Sequence, residues 1–304
     1  MPTEKLQIGR TTVELSKPDK VLFPDDGITK GDLVDYYREV ADRMLPHLDG
    51  RPLALQRYPD GLAGEGFFQQ EASDYFPDWV DRASVPRRGG GRIDHVVCTS
   101  AATLVYLANQ ATITLHAWLS RMDRPDRPNQ MIFDLDPAGT DFAEVRSAAR
   151  ALHGLLDELG LPSFVKTTGG RGLHVIVPLS RRQDFDAVRA LARDVADLLA
   201  AHDPERITTE TRKAKRGGRL YLDIGRNAYG QTAVAPYTVR ARPGAPVATP
   251  LSWSEVDDRR LDPRRFTIGT VPDRLRDDPW QGMSGSATSL ADARRRLDAL
   301  RSDG

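Results

Sequence analysis

The sequence predicts an α+β fold, with an N-terminal α/β lobe packed on a β-α-β-β-α-β core. Three observations carry this expectation. Between Gln130 and Ile224, short apolar runs and two long stretches of helical period alternate in the order strand, helix, strand, strand, helix, strand. The first 120 residues mix strand-like and helix-like patterns without settling into either class. A chain of 304 residues with 39% hydrophobic and 28% charged side chains has material for one large domain or two packed lobes.

Taken in order, a strand is expected over 13–15, followed by the loop KPDKVLFPDDG. Thr29 and Asp32 stand three apart ahead of an apolar stripe, the arrangement of a capping box. The stripe of Leu33, Tyr36, Tyr37, Val40 and Met44 then predicts a helix over 30–48. A second helix is expected over 99–119, ending near His116, and the Gly- and Arg-rich stretch 87–92 reads as a loop.

The middle third has strands at 130–135, 163–168, 173–179 and 219–224, and helices at 142–159 and 187–201. This order is the split βαβ, or ferredoxin-like, pattern, whose usual strand order is 4-1-3-2. The first strand would then lie between the fourth and the third. The division expected is 1–120 for the N-terminal lobe, 121–275 for the core lobe, and 276–304 for a loosely tethered tail with a short helix around 290–300.

Composition excludes several classes of function. Forty-three basic residues balance 43 acidic ones, so any nucleic-acid surface must be a local patch. No apolar run approaches the roughly 20 residues of a membrane span. MPTEKLQIGR has no secretory apolar stretch, so a cytoplasmic protein is expected, nucleoid-associated if it binds DNA. Cys98 stands alone, which leaves neither a disulfide framework nor a cysteine zinc cluster within the chain.

The chemistry concentrates in four motifs. In MIFDLDP, strand alternation puts Asp134 and Asp136 on one face, where two carboxylates repel unless a cation sits between them. Asp223, in RLYLDIG, is the acid of the fourth strand, which the 4-1-3-2 order makes a neighbour of the first. Three converging carboxylates would hold two Mg²⁺ or Mn²⁺ ions about 3.5–4 Å apart, the clamp of an in-line phosphoryl transfer. KTTGGRGLHVIVPL adds Gly169, Gly170 and Gly172, whose amides can approach a phosphate, together with Lys166, Arg171 and His174.

TRKAKRGGRLYLD gathers Arg212, Lys213, Lys215, Arg216 and Arg219 just before Asp223, as expected where a polyanion enters, and Arg226, Asn227, Arg240 and Arg242 continue the theme. RYPDGLAGEGFFQQ sets Arg57 near Phe67 and Phe68, at least one of which is free to stack on a base. Lys20 and Lys30 flank the PDDG turn, where either could grip a terminal phosphate. A bare reading of these residues leaves a metal-dependent nuclease, a nucleotide cyclase or a non-catalytic DNA-end-binding module open beside a polymerase.

The ordered set VELSKPDKVLFPDDGITKGDLVDYY, FDLDP, TTGGRGLHV, YLDIGRN and APYTVRAR resembles the polymerase domain of bacterial DNA ligase D, in the archaeo-eukaryotic primase superfamily, over nearly the whole chain. The resemblance implies a primase-like two-lobed fold and templated addition of NTPs or dNTPs to DNA 3′ ends, with ribonucleotides preferred, in end joining or gap repair. It implies Asp134, Asp136 and Asp223 as catalytic metal ligands. Thr168, Gly169, Arg171, His174 and Arg240 would meet the triphosphate, and Phe67, Phe68 and His116 the sugar and base. Lys20 and Lys30 would hold a downstream 5′-phosphate, with Arg57, Lys213, Arg216 and Arg226 near DNA. Implied partners are DNA with 5′-phosphorylated gaps or ends, Ku, and a separate ligase. The last follows because no KxDG adenylation motif occurs in the chain, and a free-standing polymerase or an excised domain is expected.

Overall fold

The computed structural model describes residues 3–137, 139 and 141–302. These form two compact units, one of residues 1–123, 232–249 and 266–277, the other of 124–231, 250–265 and 278–304. The chain therefore passes between units repeatedly, and the linear division expected from sequence at 120 and 275 does not describe it.

In the first unit, strands run in the order Thr232–Val234, Thr112–Trp118, Pro52–Arg57, Arg92–Val97, Arg82–Pro86, with Phe67–Gln69 also paired to Pro52–Arg57. The expected strand at 13–15 is part of Thr11–Ser16, which forms a hairpin with Thr3–Ile8. The Thr29–Asp32 capping box is present. The helix it starts ends at Glu39, however, and a second runs Ala41–Leu48, with Val40 capping both. Pro46 lies six residues further on, inside the second helix, where it removes one donor to the Asp42 carbonyl.

The helix expected over 99–119 is also shorter, Ala101–Asn109, and Thr112–Trp118 is a strand. Ala111 adopts a φ of 56°, which ends the helix, and the β-branched run Thr112-Ile113-Thr114 then suits a pleated surface. The 87–92 loop is the turn of a hairpin between Arg82–Pro86 and Arg92–Val97. Two buried tyrosines tie in the returning segment. Tyr36 donates to the Tyr237 carbonyl at 2.8 Å, and Tyr37 donates to Ile113 O at 2.6 Å while accepting from Val239 N.

The second unit contains the predicted core. Its sheet runs Ile207–Thr208, Leu220–Asp223, Gln130–Asp136, Leu173–Pro178, Phe164–Thr167, Pro250–Leu251. The middle four strands are the 4-1-3-2 order, extended by a two-residue strand at each edge. Helices Phe142–Glu158 and Phe185–His202 bury Val145, Leu152 and Leu156, and Val188, Leu191 and Val195, at helical spacing.

The C-terminal segment is packed and is no loose tail. Helix Leu290–Ser302 buries Leu290, Ala293 and Leu297, and Arg294 and Arg301 both pair with Asp194. Trp280, 3% exposed, donates its indole N–H to Val165 O at 3.0 Å. Among the described residues no helix is long and apolar enough to cross a membrane.

Candidate active site

Strand register decides which side chains meet in the second unit. Across the antiparallel pair Gln130–Asp136 and Leu220–Asp223, Asp134 faces Asp223 and Asp136 faces Tyr221. On the other side of the central strand Asp134 faces His174, and His174 faces Lys166 one strand further. Directly opposed residues share a face. One row of side chains, Asp223, Asp134, His174 and Lys166, thus crosses four strands, and Asp136 and Tyr221 lie on the same face one repeat along.

Each acid in this row has protein partners. His174 Nε2 lies 3.5 Å and Arg226 Nε 3.8 Å from Asp134 Oδ2. Arg171 donates to Asp136 Oδ1 at 3.0 Å, and Arg216 Nη1 lies 3.8 Å from Asp136 Oδ2. Asp223 Oδ1 accepts from Gly225 N at 2.7 Å and from the Tyr221 hydroxyl at 3.1 Å. Among the described residues no three acids, histidines or cysteines form a ready-made metal cage. Strand register brings the three acids to one face, and there each carboxylate is engaged by neighbouring protein groups. Like charges on one face repel, and the carboxylates turn toward the surrounding arginines and hydroxyl.

The electrostatics keep this site acidic. Burial would raise the pKa of Asp134, but His174, Arg226 and Lys166 outweigh it and hold the carboxyl below its usual range. Burial, reinforced by Lys166, lowers His174 to about 4 despite Asp134, so its ring is neutral at pH 7. His174 Nδ1 is buried and has no hydrogen-bond partner among the described residues. Asp223 Oδ2 is likewise without a hydrogen bond there, whereas Oδ1 has two. Hard carboxylate oxygens on one face, with Asp134 Oδ1 and Asp223 Oδ2 uncommitted among the described residues, fit Mg²⁺ or Mn²⁺ held by Asp134, Asp136 and Asp223.

The glycine loop behaves differently from its sequence reading. The Thr168 hydroxyl donates to Gly172 O and accepts from the amides of Gly170 and Gly172, which uses its one proton and both lone pairs. Those two glycine amides therefore face inward, and Thr168 shapes the turn around Gly169, whose φ is 61°. The positive charge of the loop comes from exposed Arg171. The sequence reading missed Arg264, which donates to Gly170 O at 2.9 Å and braces the loop from a distant segment. Lys213 lies exposed on a 3-10 turn, Lys213–Lys215, whereas Arg216 is largely enclosed. Asn227 is not part of a basic surface. It is fully buried, and its amide both donates to and accepts from the Ile132 backbone.

The first unit holds the other candidates. Phe67 and Phe68 are 46% and 59% exposed on their short strand, and the Phe68 ring meets His116 edge-on at 5.3 Å between centroids. Arg57 is buried, donating to Gln110 O, Gln69 Oε1 and the Tyr75 hydroxyl, with its guanidinium 5.6 Å from the Phe67 ring. It supports the aromatic platform and offers no exposed cation for DNA. Arg240 is half-buried, its backbone N–H donating to Pro246 O.

Lys20 pairs with Asp60 at 2.9 Å, and Lys30 is buried with its ammonium donating to Ser16 Oγ. Desolvation, then the charges of Lys20 and Lys17, lower Lys30 to about 8. Three cations crowd one turn, and Lys17, missed from sequence, is visible there as the first residue of KPDK.

Residues 29–280 match the family described as LigD, primase-polymerase domain. The chain belongs to this family. It is 35% identical over 266 residues to the multifunctional non-homologous end joining protein LigD of Mycolicibacterium smegmatis, covering 86% of this chain and 34% of that protein. The bifunctional LigD of Bacillus subtilis is also 35% identical, covering 87% of this chain and 42% of that protein. The chain thus spans about a third to two fifths of these relatives. The polymerase domain from Mycobacterium tuberculosis ligase D, solved in complex with DNA, superposes with a TM-score of 0.85 at 34% identity, over 90% of this chain and 99% of that one. The sequence reading also overlooked Tyr221, although strand alternation two residues before Asp223 already placed it on the acidic face.

Proposed function

We propose that this chain is a DNA-directed nucleotidyltransferase that extends 3′ ends and fills short gaps, ribonucleotides preferred, in DNA end joining or gap repair. The observation that carries the reading is the register pair Asp134–Asp223 with Asp136 on the same face, ringed by Arg171, Arg216, Arg226 and a neutral His174. Asp134, Asp136 and Asp223 would hold two divalent cations, Mn²⁺ or Mg²⁺. Such ions, when bound, lower the pKa of a hydroxyl nucleophile and offset charge on the phosphates.

The protein's own groups do the rest. Arg171 and Arg216 are placed to exchange their ion pairs with Asp136 for triphosphate oxygens, which would free the carboxylate as charge arrives. His174, uncharged at pH 7 and so carrying one N–H, would give a phosphate oxygen a hydrogen bond by turning that donor from Asp134 once cations engage the carboxylate. Phe67 and Phe68 offer aromatic faces to a base, with His116 against Phe68. Lys17, Lys20 and Lys30 favour a downstream 5′-phosphate, and Lys213 and Arg226 supply further positive charge for DNA. The relatives' names support an end-joining pathway, and Ku and a separate ligase would be the partners in it.

The test is primer extension on a gapped duplex carrying a 5′-phosphate, with Mn²⁺ and either NTPs or dNTPs. Strand growth that Asp134→Asn abolishes without unfolding the protein is expected. Cleavage of labelled DNA with no nucleotide added, or a cyclic product from ATP alone, would replace the polymerase reading with a nuclease or a cyclase. Tight binding to DNA ends with neither chemistry would leave only an end-binding module.

A further inference from the structure

We propose that Tyr221 is a positioning residue that joins the metal-binding acid Asp223 to the phosphate-facing cation Arg216 through a single ring. The inference rests on the reading of Asp223 as a metal ligand.

Tyr221 is 7% exposed and sits opposite Asp136 in the strand pair, on the same face as all three acids. Its hydroxyl donates to Asp223 Oδ1 at 3.1 Å, and Gly225 N donates to the same oxygen at 2.7 Å. Two donors on one oxygen stop the carboxylate from rotating and present Oδ2 alone, in one direction. The face of the same ring carries Arg216, whose guanidinium carbon lies 3.7 Å from the ring centroid. Arg216 is also held through Nε to Glu210 O at 3.0 Å and through Nη2 to Thr211 O at 3.1 Å. The stack below and the carbonyls at one edge leave Nη1 as the end directed at Asp136.

The two duties fall on different parts of one side chain. The hydroxyl fixes the direction of Asp223, and the ring fixes the height of Arg216 above the sheet. A phenylalanine keeps the ring and loses the hydroxyl, whereas a leucine loses both. Removing the group that orients a ligating carboxylate typically weakens a metal site by about 10-fold or more.

The experiment titrates Mn²⁺ into nucleotide-free protein, following free Mn²⁺ by electron paramagnetic resonance, and separately measures kcat and nucleotide KM at saturating Mn²⁺. For Tyr221→Phe the expected result is Mn²⁺ affinity weakened about 10-fold with nucleotide KM within twofold of the parent. Tyr221→Leu should weaken Mn²⁺ equally and also raise nucleotide KM. Arg216→Leu, which keeps the Tyr221 hydroxyl on Asp223 and frees Asp136 of a competing cation, should raise KM with Mn²⁺ affinity equal to or tighter than the parent's, and serves if Tyr221→Leu does not fold. Asp223→Asn separates the two layers of the argument. Tyr221→Phe binding Mn²⁺ like the parent, while Asp223→Asn loses affinity, overturns the role of Tyr221. Unaltered Mn²⁺ binding by Asp223→Asn overturns the metal reading beneath it.

Discussion

Lys30 shows how a single side chain carries a testable pH dependence. Its ammonium is desolvated and faces the charges of Lys20 and Lys17, so it releases its proton near pH 8, well below an ordinary lysine. Below that pH all three lysines are charged, and a phosphate dianion finds its full complement of cations. Above it Lys30 is neutral, and a charge-assisted hydrogen bond to the phosphate weakens to an ordinary one. The preference for a 5′-phosphate over a 5′-hydroxyl gap should therefore fall about tenfold from pH 7 to pH 9. Phosphate binding should restore the proton, so calorimetry at pH 9 in buffers of different ionisation enthalpy should show proton uptake on binding. A flat preference across this range, or one that persists in Lys30→Gln, would remove Lys30 from the phosphate site.

At the scale of elements, the site depends on how closely three strands approach. Gly172 immediately precedes the strand Leu173–Pro178 beside Asp134, and a Cβ there would overlap the carbonyl of Leu135. Gly172→Ala should cost about 3 kcal/mol in a denaturant titration, because the obstacle is backbone and cannot swing aside. On the other side, Asn227 substitutes for a missing strand by exchanging hydrogen bonds of 2.8 and 2.7 Å with the Ile132 backbone. Asn227→Ala would leave a buried N–H and a buried C=O unpaired, a loss of about 3 kcal/mol. In a unit of this size that corresponds to a melting temperature lower by about 10 °C. Unchanged melting would show that the strand edge finds other partners.

This contrast also explains what the sequence made legible. Asp134, Asp136 and Asp223 were readable because strand alternation and the 4-1-3-2 order are strong local rules. Asn227 was misread as part of a basic surface, since nothing local says that its amide meets Ile132, 95 residues away in the chain. The overlong helix reading of 99–119 failed for a different reason. The run Thr112-Ile113-Thr114-Leu115-His116 alternates polar and apolar residues, a strand signal that the longer helix reading passes over, and pairing with Pro52–Arg57 and Thr232–Val234 fixes it as a strand.

For the whole molecule, the main misreading was the C-terminal segment, whose Gly-, Ser- and Asp-rich composition resembles a tether. Most of its large apolar residues are buried, Leu300 being the exposed exception. Trp280, Met283, Leu290 and Leu297 are each under 10% exposed, and the indole of Trp280 caps the carbonyl of Val165 on the strand that carries Lys166. Thr288 also takes part, pairing with Leu179 at the end of the strand that carries His174. Burying one such large side chain contributes about 2 kcal/mol, so the four together, about 8 kcal/mol, match the roughly 5–15 kcal/mol that holds a typical domain folded. Truncation after Asp277 should therefore abolish the cooperative melt of the second unit and yield aggregated protein, and with it all nucleotide addition. Truncation after Arg301 removes none of these contacts with the core and should leave both melting and activity as they are. If the chain ending at Asp277 instead melted cooperatively at the parent temperature, the segment would be a tether after all, and its buried side chains would contribute little to the sheet that carries the acids.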